Sequence, residues 1–167
     1  MRKTIFLCKS KEDTAICPEC NHQLQYRDTK IRCFKVHGGS QSKIIIRRLK
    51  CSHCSRFHNE LPDFLSPHKH YTVEVIEDVV DDVVDSDTLA TEDYPSRRTM
   101  KRWKRWIKKN VAQIDGYLKS INHLILGFSE SHLKSSSSLL MTLREASSGW
   151  LGIINRKIYN SGGFLPP

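Results

Sequence analysis

Long apolar runs are missing from this 167-residue chain, and so is a full globular share of apolar residues. The apolar set makes up 38% of the total, so two or three small units are expected before one large core. No stretch approaches the roughly 18 apolar residues that a membrane span requires, so no membrane partner is expected. The apolar start Thr4–Cys8 is too short for an export signal, and Lys9 and Lys11 follow at once. Paired carboxylates, a Gly-rich phosphate loop and a Ser/His/Asp set are lacking as well, and the chain is not expected to be an enzyme. Six cysteines without an export signal are expected to be thiolates in a bacterial cytoplasm, not disulfides.

Charge of one sign is missing locally. Residues 72–93 hold 9 acids and no Lys or Arg, whereas residues 94–167 hold 13 bases against 3 acids. Eight of those bases fall between Arg97 and Lys109, within a net formal charge of +9 for the whole chain. A cationic cluster without an acid in it is a footprint for phosphate or for another acidic surface.

What is present begins with two Cys-x-x-Cys knuckles, Cys17-Pro18-Glu19-Cys20 and Cys51-Ser52-His53-Cys54. Each turn presents two thiolates, and four thiolates close a tetrahedron around Zn²⁺. The 30-residue gap between the knuckles is long for such a motif. It is accommodated if Gln23–Val36 and Lys43–Lys50 are arms of a hairpin turning at His37–Ser42, which brings both knuckles to one end. A short strand within Arg56–Leu61 would follow. Four thiolates leave no open coordination position, so one structural zinc per chain is expected. Cys8 and Cys33 lie in strand-like runs and read as small buried hydrophobes. His22, His53 and His58 read as neighbours of the site. The spacing alone leaves open whether any of these five joins it.

Beyond Pro62 and Pro67, Ile76, Val79, Val80, Val83 and Val84 recur at helical spacing, which predicts a helix over 73–84 with Thr72 as its cap. Ser86–Tyr94 reads as a turn around a short helix. Pro95-Ser96 opens a second helix, capped by Ser96 or Asp93. Its apolar stripe runs from Met100 through Trp103, Ile107, Val111, Ile114, Leu118, Ile121 and Ile125 to Phe128, and a break at Gly116 is conceivable. Trp106 sits at the stripe's edge. On helical geometry with Met100 at zero, Arg97, Arg98, Lys101, Arg102, Arg105, Lys108 and Lys109 cover an arc from about 60° to 200°. That juxtaposition suits a helix docked on its own domain by one face and offered to a major groove by the other. Arg47 and Arg48 of the hairpin are expected to add backbone contacts. After the serines at 135–138, Leu139–Ile158 suggests further helix interrupted at Gly149 and Gly152. The tail to Pro167 reads as frayed. The stripe over 111–128 predicts a homodimer or, in the alternative, an intramolecular hairpin with 139–158.

Several of these motifs together resemble a known leader region. They are Cys17-Pro18-x-Cys20, then Ile46-Arg47-Arg48-Leu49-Lys50-Cys51-x-x-Cys54-x-Arg56-x-His58, then Glu60-Leu61-Pro62-Asp63-Phe64-Leu65-x-Pro67-His68-Lys69-x-Tyr71, and Pro95-Ser96-x-Arg98-Thr99-Met100-Lys101-Arg102-Trp103. The chain is similar over about residues 15–110 to the zinc-ribbon and helix-turn-helix leader of bacterial transposases, and to a family of small, uncharacterised Firmicutes proteins of mobile-element type. The resemblance implies DNA binding. A full transposase would also carry a catalytic domain with three metal-binding carboxylates, and only Asp115, Glu130 and Glu145 follow residue 94. The expected class is therefore α+β: a zinc ribbon over 1–66, a helix-turn-helix over 67–110 and a helical region over 111–167. The expected role is a double-stranded-DNA-binding regulator or transposition accessory factor. The alternative is an adaptor that binds a protein partner through the ribbon and C-terminal helices. RNA binding is disfavoured by the lack of exposed aromatics expected on the strands.

Overall fold

A computed structural model describes residues 6–9, 15–84, 94–125, 138–161 and 163–167. It is a mixed α+β structure with a four-stranded sheet and four helices among those residues. The strands are β1 (Phe6–Cys8), β2 (Leu24–Lys35), β3 (Gln41–Cys51) and β4 (Phe57–Asn59). The helices are α1 (Val73–Val80), α2 (Arg97–Ile125), α3 (Leu139–Ala146) and α4 (Trp150–Asn160).

The expected hairpin is formed by β2 and β3, which pair antiparallel from Leu24↔Cys51 to Lys35↔Gln41. Its turn is tighter than expected, with Gln41 and Ser42 already in β3, because Gly38 and Gly39 both take positive φ (74° and 66°). The other edge of β3 is shared. β1 pairs parallel along Ile44–Ile46, and β4 pairs antiparallel along Arg48–Lys50. One face of the sheet buries Ile44 and Ile46 against Leu65. Backbone bonds from Lys35 N to His70 O (2.7 Å) and from Thr72 N to Lys35 O (3.0 Å) tie the end of β2 to the segment leading into α1.

All four helices share one core. Ile76 and Val79 of α1, Trp103, Ile107, Ile114 and Leu118 of α2, Leu140 of α3, and Leu151, Ile154 and Ile158 of α4 are all buried in it. The period-3.6 reading of the valine-rich segment is right in kind and too long in extent. α1 stops at Val80, Asp82 takes a left-handed φ of 58°, and Val83 is 72% exposed. Thr72 occupies the N-cap position, but its hydroxyl caps nothing and is buried without a partner. Ser96 starts α2 through its carbonyl, which accepts from Thr99 N and Met100 N, while its hydroxyl meets the Thr99 hydroxyl. Asp93, with the rest of the expected short helix before Tyr94, lies outside the described residues, as do the side chains at 121–125 and Phe128.

α2 runs through Gly116 without a break and passes 110/111, the expected boundary between helical units. On the stripe expected to pair with a second copy or with 139–158, Ile114 and Leu118 share a core with residues of α3 and α4 of the same chain. Trp106 is buried, and its indole N–H donates to Pro166 O at 2.6 Å. The tail is docked, contrary to the frayed end expected. Leu165 is 1% exposed, Gln113 Nε2 donates to Phe164 O, and Phe164 N donates to the Tyr117 hydroxyl. Gly163 makes this approach feasible, since a Cβ there would fall 2.7 Å from the Tyr117 ring.

Two short helices take N-terminal hydrogen bonds from other helices, α3 in addition to its own Ser138 cap. Asp115 of α2 accepts from Leu140 N (2.8 Å) at the start of α3. Glu77 of α1 accepts from Gly149 N (3.0 Å) and Leu151 N (2.6 Å) at the start of α4. Helices of 8 and 11 residues are marginal in isolation, so these bonds and the shared core hold them. Glu77 of α1 therefore faces the C-terminal helices, while Glu74 is exposed beside His37. Just beyond α1, Asp81 accepts from Arg144 and from Trp150 Nε1, and Asp82 pairs with Lys104 of α2. Burial raises the Glu77 pKa, although both backbone donors oppose it. Glu77→Ala orphans those two N–H groups and should lower unfolding stability by about 2 kcal/mol. Glu77→Gln keeps a carbonyl acceptor and should lose less. Urea midpoints of the three proteins check the order.

Candidate metal centre

The four knuckle cysteines converge because the hairpin returns the chain. β2 leaves the first knuckle, β3 enters the second, and Leu24 lies beside Cys51 in register. The two knuckles repeat one local geometry. Cys17 N donates to His22 O (2.8 Å), and Cys51 N donates to Arg56 O (2.9 Å). The residue after each second cysteine is left-handed, Asn21 at φ 57° and Ser55 at φ 60°. These turns aim the sulfurs inward, and the N–H groups of His53 and Cys54 both point at Cys51 Sγ at 3.4 Å.

Cys17, Cys20, Cys51 and Cys54 place their Sγ atoms all within 4.8 Å of one another. The Cys17–Cys54 pair is 3.7 Å apart and the Cys20–Cys51 pair 3.4 Å. Sulfurs about 2.3 Å from a central ion in a tetrahedron would stand about 3.8 Å apart, so the donor set fits a tetrahedral thiolate site. It is positioned to hold a metal ion and is consistent with zinc without identifying it. Neither Cys8 nor Cys33 belongs to the cluster. Cys8 packs against the sheet's own apolar cluster, and Cys33 lies opposite Lys43 in the hairpin. His58 Nε2 lies 3.4 Å from Cys17 Sγ, and burial holds its pKa below the ordinary histidine value. His22 and His53 stack at 4.1 Å, and with Cys20 they form a second, more exposed group of ligand atoms within 4.8 Å.

The sulfurs differ in proton affinity. Burial opposes ionisation of Cys51, but the N–H groups of Cys54 and His53 and the neighbouring sulfurs bring it down to about 6. The N–H of Arg56 favours ionisation of Cys54, yet burial and the other three sulfurs push it up to about 12. The N–H of His22 does the same for Cys20, and burial with the Cys51 and Cys17 sulfurs again raises it.

The cationic arc is the second feature of interest. Arg97, Arg98, Lys101, Arg102, Arg105, Lys108 and Lys109 are all exposed on α2, whereas Lys104 is engaged by Asp82. Arg47 and Arg48 do not join them. Arg47 is held in a two-pronged pair with Glu60 (2.6 and 2.8 Å), and Arg48 is bound by Asp28, the reverse of the open cations expected on the hairpin. The sheet also carries aromatics that the sequence reading missed. Tyr26 is 60% and Phe57 54% exposed. They pair with adjacent β3 residues, Leu49 and Lys50, and so face opposite sides of the sheet. Arg27 covers Phe57 at 4.5 Å from its centroid.

A family model described as "Domain of unknown function (DUF6431)" matches residues 17–103, just over half of the chain. The chain belongs to this DUF6431 family. The matched span opens on the first knuckle cysteine and closes on the buried Trp103. The DUF6431 region thus includes all four cysteines, α1 and the opening of α2, and leaves out Arg105, Lys108, Lys109, α3 and α4. No curated protein and no solved structure matches the chain.

Metal ligation requires thiolates. The surroundings favour the thiolate at Cys51 and the protonated thiol at Cys20 and Cys54. One equivalent of Co²⁺ added to the metal-free chain should therefore release at least two protons, and affinity should rise with pH. An indicator-dye titration alongside the thiolate-to-cobalt absorbance checks both. Cys17→Ser and Cys51→Ser should lose the absorbance and unfold the sheet, and Cys33→Ser should keep both.

Proposed function

We propose that this chain is a zinc-dependent DNA-binding protein, a transcriptional regulator or transposition accessory factor of the bacterial cytoplasm, with no catalytic activity of its own. In this reading the four cysteines hold one structural Zn²⁺ and the sheet around it is a zinc ribbon. Four thiolates complete the tetrahedron and leave no position for substrate. α1 and α2 act as a helix-turn-helix, with α2 as the helix that enters the major groove of duplex DNA.

The observation that carries the reading is the cationic face of α2. Arg98, Lys101, Arg102, Arg105, Lys108 and Lys109 are exposed, and among the described residues none of them meets a carboxylate. The opposite face is anchored by Met100, Trp103 and Ile107, which share their core with the valines of α1. A rigid helix with one cationic side meets the electrostatic and steric demands of a groove. The N-terminal residues of such a helix lie nearest the groove floor, which assigns Arg98 and Lys101 to base edges. Lys108 and Lys109 then meet phosphates two turns on.

An adaptor role has one observation in its favour. Leu7, Ile45 and Ile31 lie side by side across β1, β3 and β2, and Leu7 and Ile31 are more than half exposed. Such a row suits a protein surface. Binding to duplex DNA that weakens with salt separates the two roles, because the adaptor needs no such binding.

Arg98→Ala should change which duplex sequences are recovered from a random pool and cost about 1–3 kcal/mol on the preferred site. Lys109→Ala should leave the preference intact and flatten the salt dependence by about one. Unchanged duplex binding after joint replacement of Arg98, Lys101 and Arg105 would sink the proposal.

A further inference from the structure

The cationic arc of α2 has two unlike edges. On ideal helical geometry, with Met100 at zero, Lys104 stands at about 40° and Arg102 and Trp106 at about 200° and 240°. At the first edge, Asp82 closes on Lys104 and neutralises it. At the second edge no carboxylate meets Arg102 among the described residues, and the neighbour is another cation, Lys69, from the segment that links the sheet to α1. Its Nζ lies 4.3 Å from the centroid of the Trp106 ring. Among the described residues neither Lys69 nor Arg102 meets a carboxylate.

Lys69 is held in this place. Arg32 of β2 donates from NH2 to Lys69 O (2.7 Å) and to Ser66 O (3.4 Å), and Lys69 N donates to Ser66 O at 3.3 Å. Leu65 and Ser66, at the base of the turn, are fully buried. His68, between them and Lys69, takes a left-handed φ of 61°. Burial and the nearby Arg102 both depress the Lys69 pKa, so a half-buried ammonium stands beside a like charge with no carboxylate partner among the described residues. An anion between the two would relieve both effects.

Resting on the reading of α2 as a duplex-binding helix, we infer that Lys69 and Arg102 together bind one backbone phosphate diester, so that the turn at 66–69 clamps the strand bordering the groove that α2 enters. Trp106 supplies the floor under the ammonium, and Arg32 acts through the turn as a positioning residue. The site extends the contact surface from one helix to the segment between the sheet and α1, and it explains why the edge of the arc where no carboxylate meets Arg102 among the described residues is the edge nearest the sheet.

The test uses the full metal-loaded chain and fluorescence anisotropy on a labelled duplex across a salt series. Lys69→Met keeps the stem on Trp106 and removes the charge. It should weaken binding to all sequences alike, on the order of tenfold near 0.1 M salt, and leave the salt slope nearly unchanged, because Arg102 still meets the phosphate. Lys69→Arg should restore the affinity. Because the two cations share one phosphate, Lys69→Met with Arg102→Met should lower the slope by about one unit and not two. Unchanged affinity in Lys69→Met overturns this inference and leaves the α2 reading standing. Two units lost in the double variant overturn the shared site. Absence of salt-dependent duplex binding by the unaltered chain overturns both. In a final arm, millimolar inorganic phosphate is added at constant ionic strength. If it binds the unaltered chain but not Lys69→Met and leaves duplex affinity unchanged, the site is one for free phosphate and the diester assignment falls.

Discussion

The helical part of this protein is organised by the need to bury one side of α2. Its 29 residues put Met100, Trp103, Ile107, Ile114 and Leu118 on a single stripe, and none of these is more than 3% exposed. A stripe of that length cannot be covered by one short partner. α1 takes the N-terminal half, α3 and α4 take the C-terminal half, and the tail through Leu165 closes the edge near Trp106 and Tyr117. The cations on the opposite side stay in water because Arg and Lys are not buried without partners. The exposed charge is thus the reverse side of a packing requirement, whatever ligand it serves.

The acids are distributed by the same logic. α1 and its C-cap carry several acids, and three of these become structural ligands. Glu77 satisfies the N–H groups at the start of α4, Asp81 binds Arg144 and Trp150, and Asp78 accepts from the Tyr94 hydroxyl, which also lies 3.0 Å from His37 Nδ1 in the hairpin turn. Negative charge near a helix N-terminus is favourable, so acids drawn toward the C-terminal helices stabilise them while being kept off most of the basic face. The sheet meets the helices through the ends of β2 and the turn at 66–72, so the metal centre and α2 lie at opposite ends of one continuous backbone path.

Much of this was legible in the amino-acid order. The knuckle spacing identified all four cysteines, because a tetrahedral thiolate site imposes a local pattern that sequence records directly. Helical period separated α1 from a strand despite its valines. Other features left no local trace. Arg47 and Arg48 read as open cations because Glu60 and Asp28, which hold them, are 13 and 20 residues away. The tail read as frayed because its partners, Trp106, Gln113 and Tyr117, lie about 50 residues upstream or more. Lys69 stood outside the basic cluster in sequence and joins its edge only in space. Exposed aromatics on the strands, Tyr26 and Phe57, were not expected, because exposure there depends on strand register and on a bulge between Tyr26 and Asp28.

The sequence by itself determined the four cysteines positioned to hold a metal, the hairpin that joins them, the helical character of the acidic segment and the two-faced character of α2. Each is set by spacing within one element or one turn, where backbone geometry converts residue order into position. Tertiary structure decided which cations are quenched and which are left open, which helices α2 packs against, and where the tail goes. Those outcomes rest on contacts between residues tens of positions apart, and a charge or an apolar stripe does not encode which distant group will reach it first.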